Sequence, residues 1–189
     1  MVKKRHIPNS LTILRVILTV FVIYFLLQPD LKSWIIAIIC FVVASITDLV
    51  DGILARKHGW ITTFGKIADP TADKVLTIGT FITFSILHLF SWIWLIPIVI
   101  REVLVTVYRF KFVNKGKKVA ARKSGKIKTA LQMVLLGVMF FVLLFRDQFN
   151  YYPTLNTTLI IIMYVLLVVV VILTIYSGAR FIRENMYKG

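Results

Sequence analysis

Residues 33–56 read SWIIAIICFVVASITDLVDGILAR. The first 15 of them, through Thr47, carry no charge, and Asp48, Asp51 and Arg56 then follow within nine positions. A long uncharged run of Ile, Val and Phe belongs in lipid, where only a helix or a closed barrel satisfies its own backbone hydrogen bonds. The run lacks the apolar–polar alternation of a barrel strand, so it reads as a helix. On that helix Asp48, Asp51, Gly52, Ala55 and Arg56 stand at offsets 0, 3, 4, 7 and 8, which share one face.

Five further apolar stretches surround this one. The six expected spans run over about 9–28, 33–56, 68–90, 92–113, 126–145 and 155–178. The expected fold is therefore an all-α integral membrane protein with six transmembrane helices, and residues 1–189 are expected to form a single membrane-embedded domain. Of the 189 residues 59% are apolar and 16% charged, with a mean hydropathy of +0.86. Such a composition cannot build the polar shell of a soluble domain, and it excludes a disordered chain. The single Cys40 rules out an internal disulfide. No internal repeat is visible, which counts against transporter folds.

Charge sets the expected orientation. Lys and Arg total 23 against 8 acids, a net charge of +15. Nineteen of the basic residues fall at the two ends and in the second and fourth connections, while Lys32 and Arg146 lie on the opposite side and Arg15 and Arg101 inside spans. The positive-inside rule then puts both termini and the even-numbered connections on the cytoplasmic side of the cell membrane. Residues 1–28 read as a retained span rather than a signal peptide, because Arg15 interrupts the run and no A-x-A-like site follows. The basic surplus flanks spans with few aromatics among the charges, so its expected partners are anionic membrane lipids and not nucleic acid.

Four of the eight acids, Asp48, Asp51, Asp69 and Asp73, lie within 26 residues of one another. Asp69 and Asp73 are at i and i+4, again one helical face. Fifteen uncharged residues precede Asp48 and 16 follow Lys74, which sets both acidic pairs about 22–24 Å from the outer face. The hydrocarbon core is about 30 Å thick, so these turns are expected to line a polar cavity open to the cytoplasm. Four carboxylates at one level repel unless some are protonated or cations sit among them. An oxygen-only set suits two hard divalent ions, Mg²⁺ or Mn²⁺, as in a phosphoryl-transfer clamp. Solvated helix-end acids paired with Arg56, Lys66 and Lys74 are the plainer alternative. Close helix packing explains Gly52 and Ala55 as well as a bound phosphate does.

The pattern D-x-x-D-G-x-x-A-R-x8-G-x3-D-x3-D, from Asp48 to Asp73, resembles the signature of the CDP-alcohol phosphatidyltransferase family at all eight fixed positions. The resemblance implies a six-helix enzyme that transfers the phosphatidyl group of CDP-diacylglycerol to an alcohol and releases CMP. It implies that Asp48, Asp51, Asp69 and Asp73 hold the two metal ions and that Asp73 is the general base. It also implies that Gly52, Ala55, Arg56 and Gly65 shape the pocket for CDP-diacylglycerol. A homodimer is a further expectation it carries.

A wider resemblance runs from Pro8 to about Gln132. It rests on Ile7-Pro8-Asn9-Ser10-Leu11-Thr12-Ile13-Leu14-Arg15, Asp69-Pro70-Thr71-Ala72-Asp73-Lys74, Arg101-Glu102 and Gly125-Lys126-Ile127-Lys128-Thr129. It is similar to a branch of the family whose acceptor is glycerol 3-phosphate. A phosphate-bearing acceptor needs fixed cations, and Arg101, Arg109, Lys126 and Lys128 are the candidates, the last two at a helix amino end. The plainer alternatives are a buried Arg101–Glu102 pair and simple anchoring by the lysines. Asn9 is a candidate contact to CDP-diacylglycerol, with a helix cap as its alternative, and Arg15 a partner of either the nucleotide or the carboxylates. The cardiolipin-forming branch shares much of the pattern, which leaves the acceptor less constrained than the chemistry. An intramembrane prenyltransferase and a cation transporter are the rival classes; neither requires Gly52-x-x-Ala55-Arg56.

Overall fold

A computed structural model describes residues 7–58, 63–114, 123–146 and 153–186. Within them, side chains are described except at 7–11, 49, 51–71, 73, 109–114, 123–124, 126, 153–154, 156 and 184–186. Regular structure among the described residues is entirely helical: α1 (Ile7–Leu26), α2 (Leu31–His58), α3 (Thr63–Ile86), α4 (Trp92–Asn114), α5 (Lys123–Leu144) and α6 (Pro153–Met186). Among the described residues three stretches are long and apolar enough to cross a membrane, Leu31–Asp48, Ile127–Leu144 and Thr157–Arg183. Shorter apolar stretches occupy Thr12–Leu26 of α1 and Lys74–Ile86 of α3.

Two expected boundaries move. Helix α2 reaches His58 and α3 begins at Thr63, so helix covers positions expected in a connection of about ten residues. Helix α6 runs to Met186, eight residues past its expected end. Hydropathy marks where a chain leaves lipid, whereas a helix continues through charged turns as long as no residue breaks it.

The chain forms two compact units, Met1–Thr83 and Phe84–Gly189. In the first, α1 and α2 pack together across the turn at 27–30. Asp30 caps α2: its Oδ1 accepts a hydrogen bond from the Ser33 amide at 2.9 Å. Hydrogen bonding from the Ser33 side chain, then from its amide, holds the Asp30 carboxyl below its ordinary range. The buried stripe of α1 is Thr12, Arg15, Thr19, Val22 and Leu26, and that of α2 is Trp34, Ala37, Phe41 and Ala44. Both advance by alternating steps of three and four, the period of one helical face. Helix α3 comes close to α1 at Gly79, where a Cβ would lie 3.1 Å from the Ile23 side chain.

In the second unit α6 packs on both α4 and α5. Phe84 meets Phe140 edge to face, with centroids 4.9 Å apart. Helix α3 ends in a left-handed residue, His88, at φ 59°. The Leu89 amide bonds to the Phe84 carbonyl and the His88 amide to that of Ser85, the paired bonds of a Schellman cap.

Burial is inverted relative to a soluble protein. Arg15, Thr19, Thr80, Thr83, Lys128, Gln132 and Thr174 are buried, while Ile93 is 69% exposed and Val20, Ile161 and Ile172 are exposed too. Threonine hydroxyls on several of these helices donate to the carbonyl four residues back, as Thr19 does to Arg15 and Thr80 to Leu76, both at 2.8 Å. A molecule that turns apolar side chains outward and polar ones inward is an integral membrane protein.

Candidate active site

The first unit carries the acidic signature on helical backbone. Positions 48, 51, 52, 55 and 56 all lie in α2, which continues to His58, and positions 65, 69 and 73 all lie in α3. Position 48 extends the buried stripe of α2 by the same three–four step, and positions 51 and 55 extend it further. On α3, position 69 keeps register with buried Ala72 and Leu76. The side chains of Asn9, Asp51, Gly52, Ala55, Arg56, Gly65, Asp69 and Asp73 lie outside the described residues.

Asp48 is described, and it is not alone. Arg15 Nη1 of α1 lies 2.7 Å from Asp48 Oδ1. The Arg15 side chain is 0% exposed and that of Asp48 is 38% exposed, so a sealed cation meets a carboxylate with one side open. Arg15 Nε and Nη2 are buried with no hydrogen-bond partner among the described residues. Of the two partners weighed for Arg15, the carboxylate is the one seen in contact with it. Asn9 is the third residue of α1, too far inside the helix to cap it. An all-oxygen donor set at i, i+3 on one helix and i, i+4 on another fits a hard divalent cation by its chemistry.

The second unit holds the expected acceptor cations. Arg101 Nη1 lies 3.1 Å from Glu102 Oε1, and Lys128 Nζ pairs with the same oxygen. The side chains are 14% exposed for Arg101, 9% for Glu102 and 1% for Lys128. Helix α5 begins at Lys123, so Gly125 and Lys126 occupy its first turn and Lys128 its second. The side chains of Arg109 and Lys126 lie outside the described residues. Glu102 was legible only as a neighbour of Arg101; that Lys128 shares its oxygen depends on how α4 and α5 are turned toward each other.

The described helices thus carry the acidic signature on helical backbone in the first unit and a buried Arg101–Glu102–Lys128 cluster in the second, in a chain that exposes its apolar side chains. The sequence profile of the CDP-alcohol phosphatidyltransferase family matches residues 5–176, and the chain belongs to that family. It is an enzyme of phospholipid biosynthesis. Among its relatives is the CDP-diacylglycerol–glycerol-3-phosphate 3-phosphatidyltransferase of Escherichia coli strain K12, 38% identical over 137 residues that cover 70% of this chain and 75% of the relative. The protein of the same name from Salmonella choleraesuis strain SC-B67 is 36% identical over the same shares. That of Shigella flexneri serotype 5b is 37% identical, again over 70% and 75%.

Proposed function

We propose that this chain transfers the phosphatidyl group of CDP-diacylglycerol to glycerol 3-phosphate, giving phosphatidylglycerophosphate and CMP. The observation that carries the reading is the 36–38% identity, over three quarters of their length, to relatives named for that reaction. The complete signature from Asp48 to Asp73 supports the chemistry independently. Asp48, Asp51, Asp69 and Asp73 would hold two divalent ions, Mg²⁺ or Mn²⁺, which would neutralise the diphosphate and stabilise CMP as it leaves.

The protein's own residues do the rest. Asn9, Gly52, Ala55, Arg56 and Gly65 seat the cytidine diphosphate of the lipid. Arg101, Arg109, Lys126 and Lys128 hold the phosphate of the acceptor. Asp73 takes the proton from the acceptor's primary hydroxyl, whose oxygen forms the new bond to the phosphatidyl phosphorus. The bond from that phosphorus to CMP breaks, and CMP leaves with the electron pair. Positioning and electrostatics supply most of the acceleration in such a transfer.

The same reading makes the chain one catalytic domain with six spans, both termini and the polar cavity facing the cytoplasm. The inverted burial and the basic residues of the even connections support it. The test supplies purified protein with CDP-diacylglycerol, Mg²⁺ and a panel of alcohols, and follows CMP. Release with glycerol 3-phosphate in preference to glycerol, inositol, serine and phosphatidylglycerol is the expected result. Preference for phosphatidylglycerol would move the chain to the cardiolipin-forming branch.

A further inference from the structure

Neighbours at i and i+1 on a helix do not face each other, yet Arg101 and Glu102 touch. Their side chains turn toward one point, and Lys128 of α5 reaches the same point. We propose that Glu102 is a positioning residue of the acceptor site, one carboxylate oxygen that holds Arg101 and Lys128 together and so aims Arg101 at the acceptor's phosphate. The proposal rests on the glycerol 3-phosphate reading above.

Three observations support it. The stem of Arg101 lies against the backbone of α6: a Cβ added at Gly178 would come 2.9 Å from Arg101 Cγ. The stem is thus confined by α6 and the head by Glu102. Second, Arg101 Nε is buried with no hydrogen-bond partner among the described residues. A sealed guanidinium nitrogen without a partner is costly in a finished structure and natural in a site that awaits an acceptor oxygen. Third, Arg101 offers five N–H donors in a planar fork, and the described contact to Glu102 engages one nitrogen. A phosphate matches the fork that remains. A purely structural staple is a weak explanation for the cluster, since buried ion pairs seldom stabilise more than an apolar replacement would.

The test uses the full chain in lipid nanodiscs, with CMP release measured against each substrate in turn. Glu102→Gln keeps the shape and removes the charge. Its KM for glycerol 3-phosphate is expected to rise about tenfold or more, with the KM for CDP-diacylglycerol within about twofold of the parent. Glu102→Asp, which restores the charge on a shorter arm, is expected to fall between the two. A loss of kcat with both KM values unchanged, or a parallel rise in both, would make Glu102 a structural staple and overturn the proposal. So would a lower KM for glycerol 3-phosphate, which would mean that freed positive charge outweighs alignment. Should the Gln variant not fold, Glu102→Asp alone decides the matter by the same split. A parent protein that turns over another alcohol but not glycerol 3-phosphate sinks the acceptor reading, and the proposal with it. Turnover of glycerol 3-phosphate with an indifferent Glu102→Gln sinks the proposal alone.

Discussion

Asp73 stands one helical turn after Asp69, in a segment whose backbone is helical from Thr63 onward. As general base it would contribute the 10²–10⁴-fold typical of that role, so Asp73→Asn is expected to cut CMP release by at least about 100-fold. Binding of CDP-diacylglycerol, read by equilibrium dialysis, should persist; near-normal turnover would remove Asp73 from the base role. The Arg15–Asp48 pair makes a different prediction, because its two members differ in burial. Asp48→Asn leaves a fully sealed cation without its counter-charge, whereas Arg15→Met leaves a carboxylate that water already reaches. The first is expected to cost about 2–3 kcal/mol and the second about 1 kcal/mol or less. Thermal unfolding in detergent measures both, and equal losses would show that the pair is not asymmetric. Arg15 and Asp48 were each conspicuous in the sequence as charges in apolar surroundings. Their pairing was one of two alternatives there, since spacing within a helix carries no information about the neighbouring helix.

At the scale of elements, the turn between α1 and α2 depends on one carboxylate. Hydrogen bonds from Ser33 hold the Asp30 carboxyl below its ordinary pKa of about 3.8. A depressed folded-state pKa contributes stability that is present above the unfolded value and is lost as pH falls through the folded one. The gap in melting temperature between the parent and Asp30→Ala should therefore be full at pH 6 and shrink steadily below about pH 3.8. A gap that is constant across that range would assign the cap to geometry alone. Helix existence was legible from apolar run length in all six cases, and helix ends were not. Helix α2 runs on to His58 and α3 begins at Thr63, so helix extends into residues expected between the two spans. The charged residues Lys57 and Lys66 mark a break when hydropathy alone is consulted.

In both units polar side chains are buried, Arg15 and Thr80 in the first and Lys128 and Gln132 in the second, while many Ile, Val and Leu side chains are exposed. Hard cations held by the proposed carboxylates would be drawn off by a strong chelator in excess. Treating the purified protein with EDTA is expected to abolish CMP release, and added Mg²⁺ or Mn²⁺ to restore it. Activity that survives exhaustive chelation would refute the proposed carboxylate-held ions. Membrane residence, helix number, family and the helical register of the four aspartates were all present in the linear chain, because each depends on spacing along one segment. The choice of partners across helices was not: Arg15 with Asp48, and Arg101 and Lys128 on a single oxygen of Glu102, needed the folded molecule. Such contacts depend on how far each helix is rotated and slid against its neighbour, and an apolar surface of similar Ile, Val and Leu residues leaves many rotations equally plausible until the side chains interlock.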